Sequence, residues 1–472
     1  MKSQDSIFEG YVVNAEAFNG LAARFMLDKY LNGFSGIEVT GGFVVEVCTS
    51  FMFHSVGQGL FYSGEVKGDK EVFRFVYDCG SQRIRLVDSA VRKFKHDVGD
   101  AMIDLLILSH LHTDHTSGLD RLFSNFKVQE VILPYLTPIE RLLVALSNVN
   151  MPAWFYDFLS DPVVFLMERR VERIIIIGGE VGGEGGVPPT ESRPSLPPEG
   201  DFPSKIDLRG LPDDEELRRE ILRNDGDWRK YMNMRRLLIK NHNGCVVAIG
   251  LWLFRFFNYK VSPSALQNFI KCLGKMGFKL PNNEEIKRII RDKHSLRRLK
   301  RCYNSIVRKL NNDFNNSSLV VYHGPKDGVA IKNTICVFSP LCYPHESCQY
   351  FSSQFTFFVK KSGQLLTGDI NLNLEHKYNE LEKHYHGCFN NVIVGLVPHH
   401  GAGRNWKYKL LESTSESKIW VVSAGFANRY GHPSPEVIES ILSKGKRCVW
   451  VNELNYLLIK SKIKRQLSDQ KK

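Results

Sequence analysis

Ser109-His110-Leu111-His112-Thr113-Asp114-His115 contains an H-x-H-x-D-H motif, the most informative stretch of this chain. The motif follows the apolar run 105–108 and precedes a loop-like segment at 116–118, so a buried strand ends where four potential metal ligands begin. The first two histidines alternate and point to one side, whereas the aspartate and the last histidine turn toward a second position. This spacing suits two neighbouring metal ions. Imidazole and carboxylate ligands without thiolate favour zinc, with manganese or iron as competitors.

Composition limits the class of protein. The 472 residues are 43% hydrophobic and 24% charged, which is typical of a soluble globular protein with at least one large core. We find no apolar run of membrane-spanning length and no basic-then-apolar leader, so we expect a cytoplasmic protein without membrane contact. The ten cysteines are scattered without a C-x-x-C pair, so neither a disulfide framework nor a zinc knuckle is indicated. A formal net charge of +12 suggests an anionic partner, with nucleic acid as the first candidate.

Strand and helix patterns alternate from residue 43 to about residue 180, and strand patterns return between residues 318 and 451. Three of the later strands end in polar clusters, at Thr367-Gly368-Asp369, at His399-His400-Gly401 and at 428–433. Strand ends that carry His and Asp are where an α/β sheet builds its site. We therefore expect an α/β fold in which these clusters meet the H-x-H-x-D-H motif.

The middle of the chain has a different character. Residues 178–203 are so rich in glycine and proline that we expect a flexible linker or exposed loop, and residues 213–310 have a helical pattern. Within it, 284–310 contains ten Lys or Arg and three Asp or Glu, with apolar residues at helical spacing. This segment predicts either a nucleic-acid-binding helix or a solvated face. In the first case the contacts would come from Arg297, Arg298, Lys300 and Arg301.

Taken in order, the motifs resemble those of the metallo-β-lactamase superfamily, and are most similar to the soluble hydrolase domain of ComEC-type DNA-uptake proteins. The resemblance covers roughly residues 40–135 and 312–462. It rests on Val56-Gly57-Gln58-Gly59, Tyr77-Asp78-Cys79-Gly80, the motif at 109–115, Asn315-x-x-Ser318-Leu319-Val320, Leu366-Thr367-Gly368-Asp369-Ile370, Val397-Pro398-His399-His400-Gly401 and the segment 428–436.

The resemblance implies an αβ/βα sandwich, with residues 1–137 and 312–472 as its two halves and 138–311 as a linker and mainly helical, basic insertion. It also implies hydrolysis by a metal-bound hydroxide at two divalent ions, Zn²⁺ or Mn²⁺. His110 and His112 would hold the first metal, and Asp114 and His115 the second. Asp369 would bridge both. His399 would complete the second site, with His400 as the alternative.

Other site residues follow from the same resemblance. Asp114 or the bridging hydroxide would handle the proton. His432 would contact the scissile phosphate or support the metals, or it would cap the turn instead. Arg429 would bind substrate. Most superfamily members supply one further histidine to the first metal, but this chain offers Asn315 and Ser318 in that region, which we expect to face the substrate. His323, nearby, fits an ordinary structural role.

The resulting hypothesis is a metal-dependent phosphodiesterase, a nuclease acting on DNA rather than RNA. One alternative is a small-molecule phosphodiesterase or esterase of the same fold, because a fold alone does not specify a substrate. Another is a subunit of a multi-protein complex, for example in antiviral defence, that docks through residues 138–311.

Overall fold

The computed structural model describes residues 44–179, 205–259, 263–275, 282–310, 318–326, 332–341, 351–359 and 361–466. These residues form two facing mixed β-sheets with helices on both outer sides, which confirms the predicted α/β sandwich. The Gly/Pro-rich prediction for 178–203 falls almost entirely outside the described residues, as does Asn315. Among the described helices, none is long and apolar enough to cross a membrane.

The strands are β1 Val44–Phe53, β2 Phe61–Lys67, β3 Val72–Cys79, β4 Ile103–Ile107, β5 Val128–Pro134, β6 Arg173–Gly178, β7 Ile206–Asp207, β8 Leu237–Asn241, β9 Val246–Ala248, β10 Trp252–Phe257, β11 Val320–Pro325, β12 Lys332–Leu341, β13 Phe351–Val359, β14 Gly363–Leu366, β15 Val392–Leu396, β16 Ile419–Ser423, β17 Arg447–Val451 and β18 Leu457–Gln466. One sheet has the order β13-β12-β18-β1-β2-β3-β4-β5-β6-β8, and the other β17-β16-β15-β14-β11-β10-β9-β7. In each sheet the strands that lead into the site, β3 to β5 and β14 to β17, run parallel.

The α-helices are α1 Ile84–Val98, α2 Thr113–Thr116, α3 Leu119–Asn125, α4 Pro138–Ser147, α5 Ala153–Ser160, α6 Pro162–Glu168, α7 Glu215–Asn224, α8 Arg229–Asn233, α9 Pro263–Lys275, α10 Asn283–Arg291, α11 Lys293–Leu310, α12 Glu375–Phe389, α13 Lys409–Ser413 and α14 Pro435–Ser443. The helices from α1 to α11 that have buried apolar faces pack on the ten-stranded sheet, and α12 to α14 pack on the eight-stranded one.

The central core lies between the sheets and is strongly aromatic. Phe51, Tyr62 and Phe75 of the first sheet meet Trp252 and Phe254 of the second. Burial of such large rings stabilises the sandwich and fixes the spacing of the two sheets.

His323 is completely buried in the same aromatic core. Its two ring nitrogens hydrogen-bond the Tyr62 hydroxyl at 3.0 Å and the Trp252 indole N–H at 3.1 Å. Both nitrogens are therefore satisfied by core side chains, which agrees with the structural role expected for this histidine.

The structure corrects two features of the middle region. Helices predominate in 138–311, but 237–257, which we expected to be helical, forms β8, β9 and β10 in the two sheets. The expected single helix over 284–310 is two helices, because Asp292 leaves the helical conformation and its carboxylate accepts hydrogen bonds from the backbone N–H of His294 and Ser295.

The scattered cysteines also differ from expectation at one place. Cys272 on α9 and Cys302 on α11 form a disulfide, although their sequence spacing gave no indication of it. The bond joins two outer helices. The boundaries of the three predicted chain segments remain a prediction.

Candidate metal centre

The site is built at the carboxyl ends of five strands. Asp78 ends β3, the H-x-H-x-D-H motif follows β4, Asp369 follows β14, the His399-His400 pair follows β15, and the loop 424–433 follows β16. Because parallel strands of one sheet end at the same edge, these segments meet although they are far apart in sequence.

The motif itself is held by close backbone packing. Leu60 N–H donates to the Asp114 carbonyl at 3.0 Å. At Gly80 an added Cβ would lie 2.4 Å from the His115 carbonyl carbon, closer than side-chain atoms approach backbone, so only glycine allows the motif to sit against the end of β3. The turn that follows is the short helix α2, which carries Asp114 and His115 toward the interior.

Asp78 orients His115. The Asp78 carboxylate accepts hydrogen bonds from His115 Nδ1 at 2.7 Å and from the Ser109 backbone N–H and hydroxyl at 2.6 Å each. His115 Nδ1 therefore donates to Asp78, and its Nε2 lies 3.2 Å from Asp369 Oδ1. Burial lowers the pKa of His115, but Asp369 and Asp78 outweigh burial and hold it well above the ordinary value.

His110 is oriented by two hydroxyls. Its Nδ1 lies 2.9 Å from Ser109 Oγ and 3.3 Å from Ser318 Oγ, and its Nε2 lies 3.7 Å from Asp369 Oδ2. Burial, followed by the neighbouring His115, lowers the pKa of His110 well below the ordinary value. The His112 ring packs edge-on against the His110 ring with 5.0 Å between centroids. A neutral imidazole with Nδ1 engaged leaves Nε2 as a lone-pair donor.

The histidine pair has an unusual backbone. His399 and His400 both have left-handed φ values, 49° and 56°. His400 Nδ1 donates to the Ser423 carbonyl at 2.7 Å, and its Nε2 lies 3.4 Å from Asp114 Oδ2 and 3.8 Å from Asp369 Oδ1. His399 Nε2 instead lies 3.7 Å from Asp369 Oδ2, the oxygen that also faces His110. The two rings thus approach opposite oxygens of one carboxylate.

These residues fit a divalent cation. One ligand atom each from Asp114, His115, Asp369 and His400 lies within 4.8 Å of the others. The Nε2 atoms of His110, His115 and His400 are buried without a hydrogen-bond partner, which is the state expected of atoms that donate to a metal. Burial raises the pKa of Asp369, but His115, His399 and His400 outweigh it and hold that pKa well below the ordinary value. The carboxylate is therefore ionised and attracts positive charge.

The loop after β16 closes one side of the cluster. Asn428 shapes this loop, because its side-chain oxygen accepts from the backbone N–H of Tyr430 and of His432 and its amide donates to the Gly425 carbonyl. The His432 ring lies against the His399 ring, with 5.7 Å between centroids, and its Nδ1 is buried without a partner. Burial, then His400 and His399, lower the pKa of His432 to about 4, so the ring is neutral at pH 7.

Ser318 and Lys300 have a different setting from the one we expected, whereas substrate binding by Arg429 stays a prediction. Ser318 does not face a substrate, because it is completely buried and its Oγ contacts His110 and accepts from the Asp369 backbone N–H at 3.2 Å. Arg429 is exposed, and its Nη2 donates to the Tyr430 hydroxyl at 3.2 Å. Lys300 Nζ donates to the carbonyls of Leu146 and Ser147 at the end of α4, so this ammonium caps a helix.

The basic helix keeps an exposed cationic face. Arg297, Arg298 and Arg301 on α11 are exposed, whereas Leu296 and Leu299 are buried. Farther along α11, burial raises the pKa of Tyr303 to about 12, with a smaller contribution from Tyr430 of the site loop. Tyr303 is therefore near enough to Tyr430 for an electrostatic interaction.

Sequence reasoning undervalued Asp78 and Ser109. Asp78 ends a strand, a position that is typical of a turn-forming aspartate as well as of one that supports a site. Ser109 directly precedes the first histidine. Their role in orienting the rings of His110 and His115 is visible only in the folded structure, where Asp78 and Ser109 contact these rings.

Comparison with known proteins agrees with this geometry. Residues 66–250 match the family described as Metallo-beta-lactamase superfamily, a range that contains the H-x-H-x-D-H motif and ends before Asp369. This part of the chain, less than half of its length, is therefore similar to a metallo-β-lactamase superfamily domain. That similarity and the cluster of potential metal ligands support a metal-dependent hydrolase.

The comparison with solved structures includes a long form RNase Z from yeast, with 11% sequence identity, a TM-score of 0.31 and coverage of 94% of this chain. The chain spans 47% of the length of that yeast chain. No curated protein matches the sequence.

Proposed function

We propose that this chain is a metal-dependent phosphodiesterase that cleaves nucleic acid, with DNA as its substrate. One observation carries the proposal. The Nε2 atoms of His110, His115 and His400 are buried, lack hydrogen-bond partners and surround the carboxylates of Asp114 and Asp369. Such a set of nitrogen and oxygen ligands suits Zn²⁺ or Mn²⁺, and within the described part of the chain no thiolate belongs to it.

The ligands divide into two groups around Asp369. We assign Asp114, His115 and His400 to one cation, because they face Asp369 Oδ1 or each other. His110, on the Oδ2 side, would serve the other together with His112, whose ring packs against the His110 ring. His399 also faces Oδ2, so the geometry favours His400 over His399 for the second site. His399 would then supply the first site with its third imidazole, which Asn315 and Ser318 do not provide.

Two bound divalent ions would supply Lewis-acid activation of water and charge neutralisation at the phosphate. The chain's own residues would orient the metal ligands, bind the phosphate and accept a proton. Asp78, Ser109 and Ser318 fix the rings of His110 and His115. His432 is neutral at pH 7 and donates a hydrogen bond to a phosphate oxygen. Asp114 accepts the proton of the attacking water.

Three features support nucleic acid as substrate. The net charge of +12 provides long-range attraction for a polyanion. The exposed Arg297, Arg298 and Arg301 form a cationic face on α11, the helix that also carries Tyr303. The ordered motifs resemble those of the ComEC-type hydrolase domain, which handles DNA.

The test uses the purified full chain, stripped of metal and then supplied with Mn²⁺ or Zn²⁺. We expect the unmodified chain to cleave labelled DNA oligonucleotides. Asp369→Asn should lower the cleavage rate by at least about 1000-fold, because it removes a carboxylate that would bridge the two cations. Asp100→Asn is the matched control, because the Asp100 carboxylate is fully exposed just beyond the end of α1.

The result also separates the alternatives. Turnover of bis(4-nitrophenyl) phosphate without cleavage of any DNA or RNA would replace the proposal by a small-molecule phosphodiesterase. RNA cleavage without DNA cleavage would change the substrate. Inactivity on all of them until a copurifying partner is added would favour a subunit of a larger complex.

A further inference from the structure

The loop at 424–433 exposes aromatic rings beside the site. Among the described residues, the exposed large aromatic side chains are Tyr408, Phe426 and Tyr430, and the last two belong to this loop. Phe426 is 52% exposed and Tyr430 is 46% exposed. Folded proteins seldom leave such rings in water without a reason, and a cluster of them marks a binding surface.

The exposed rings are continuous with the metal centre. The Tyr430 ring stacks on the His432 ring, with 5.7 Å between centroids and 26° between planes. His432 in turn contacts His399. An object lying on Tyr430 is therefore separated from the cluster by one imidazole ring.

Two further apolar residues widen this surface. Ile84 at the start of α1 is 36% exposed, and Leu454 beyond β17 is 49% exposed. They adjoin the loop, because Gln82 Nε2 donates to the Tyr430 hydroxyl at 3.4 Å and Glu453 Oε2 accepts from the Phe426 backbone N–H at 2.8 Å. We call Ile84, Phe426, Tyr430 and Leu454 the rim.

The rim is held in place before any ligand arrives. Asn428 hydrogen-bonds both the Tyr430 and the His432 backbone N–H. Gln58 Oε1 accepts from the Gly425 backbone N–H at 3.2 Å, and the Trp450 ring packs on Phe426 with 4.9 Å between centroids. A rigid exposed ring loses little conformational entropy when a flat partner stacks on it.

Cations lie around the rim. Arg429 is exposed and its guanidinium lies 5.2 Å from the centroid of the Tyr430 ring. Arg404 is exposed and close enough to His432 to lower the pKa of that ring. Arg83 has a side chain that is 58% exposed, 3.8 Å from Glu453. Rings alternating with guanidinium groups match a strand in which bases alternate with phosphates.

Resting on the proposed function, we propose that the rim binds an unpaired base next to the scissile phosphate, so that the enzyme selects single-stranded over double-stranded nucleic acid. In a duplex the faces of the bases are covered by their neighbours, and the outer surface offers phosphates and sugars. An unpaired base offers a free face to Tyr430, while Arg429 and Arg404 contact the flanking phosphates.

The test combines enzyme variants with a substrate series. We expect Tyr430→Leu to lower kcat/KM on a single-stranded oligonucleotide about 5- to 100-fold, mainly through KM, because one base–ring stack is lost. Tyr430→Phe keeps the ring and should recover most of that loss. Tyr408→Leu is the matched control. Tyr408 is 61% exposed, and within the described part of the chain it shows no ring contact or hydrogen bond to the cluster, so its activity should equal that of the unmodified chain.

An abasic residue moved stepwise along the oligonucleotide locates the stacked base. At one position next to the cut, an abasic residue should lower kcat/KM of the unmodified chain as much as Tyr430→Leu lowers it on the intact oligonucleotide. Combining the abasic substrate with Tyr430→Leu should lower kcat/KM no further than either change alone. Tyr430→Leu should lower the hydrolysis of methyl 4-nitrophenyl phosphate much less than the cleavage of a single-stranded oligonucleotide, because this small diester has no base to stack on the rim.

Four results would overturn the inference. An equal loss on the small diester would mean that Tyr430 acts only by supporting His432. If an abasic residue has no effect at any position, or if single and double strands are cleaved equally, the rim does not bind an unpaired base. Hydrolysis of the small diester without cleavage of any nucleic acid would instead refute the proposed function, and the inference with it.

Discussion

Replacing Asp78 by Asn tests whether the buried carboxylate prepares His115 to bind metal. Asp78 accepts from the Ser109 backbone N–H with one oxygen, and from the Ser109 hydroxyl and His115 Nδ1 with the other. An amide has only one oxygen. In one orientation its NH₂ faces the Ser109 N–H. In the other it faces His115 Nδ1, which must then accept, so the proton of His115 moves to the Nε2 that should donate to metal.

The size of the effect follows from these two orientations. Facing Ser109, the amide leaves a buried donor unsatisfied and costs about 1–3 kcal/mol of stability. Facing His115, it costs metal affinity, and loss of a supporting carboxylate typically weakens binding about 10- to 100-fold. We therefore expect Asp78→Asn to lower the affinity for the cation held by His115 and His400 by at least about 10-fold, with a smaller change in affinity at the other site.

Calorimetric titration of the metal-free chain with Zn²⁺ or Mn²⁺ in a chelator-buffered solution measures this affinity, and urea unfolding in EDTA measures stability separately. Asp104→Asn is the matched control. Asp104 is 1% exposed on β4, the strand that pairs with β3, and its carboxylate accepts from the Arg74 backbone N–H and Lys205 Nζ. The control should lower stability and leave metal affinity within about 2-fold. Equal metal affinity in Asp78→Asn and the unmodified chain would refute the reasoning.

Three further predictions concern stability and packing. Burial lowers the pKa of His323 to about 3, so its neutral form contributes stability that is complete above about pH 6.5 and declines as the pH falls toward 3. Urea unfolding should thus show about 2 kcal/mol less stability from this group at pH 5 than at pH 7. That loss should vanish in His323→Phe. Arg141→Met, which removes the guanidinium 2.6 Å from the fully buried Asp225, should cost about 3 kcal/mol in the same assay, and adding Asp225→Leu should restore part of it. Gly80→Ala should lower stability by about 2 kcal/mol and weaken metal binding, because its Cβ meets the backbone of the metal-binding motif.

Each of these has a control of the same chemistry at a permissive position. The His96 side chain is 89% exposed, so His96→Phe should leave the pH dependence unchanged. Lys444→Met breaks an exposed pair with Glu412 and should cost less than about 1 kcal/mol. Gly387 lies in α12, where a Cβ would point into open space, so Gly387→Ala should stabilise slightly. Equal effects in a variant and its control would contradict the corresponding prediction.

Sequence patterns predicted the strand ends well, because apolar runs followed directly by His, Asp and Gly are typical of the site edge of an α/β sheet. They therefore indicated that Asp369 and the His399-His400 pair would meet the H-x-H-x-D-H motif. The strands at 237–257 were missed, because the acidic start at residue 213 and the basic helix at 284–310 dominated the pattern on either side.

The supporting contacts were beyond sequence reasoning for another reason. Ser318 is polar and lies near a strand end, which also describes a substrate-binding residue. Its position between His110 and the Asp369 backbone depends on how the two sheets face each other, and no local pattern encodes a relation between residues so distant in the chain.

The backbone of the His399-His400 pair is strained, and this strain lowers the stability of the fold. Left-handed φ at a residue with a side chain is unfavourable by about 1–2 kcal/mol, and His399 and His400 both adopt it. A regular backbone would carry adjacent rings to opposite faces of a strand, whereas here both rings reach opposite oxygens of Asp369. Only interactions made by the rings can offset this cost. The His400 bond to Ser423 supplies one, and metal binding would supply the larger share, so the backbone at this pair should be more protected from hydrogen exchange with metal than without it.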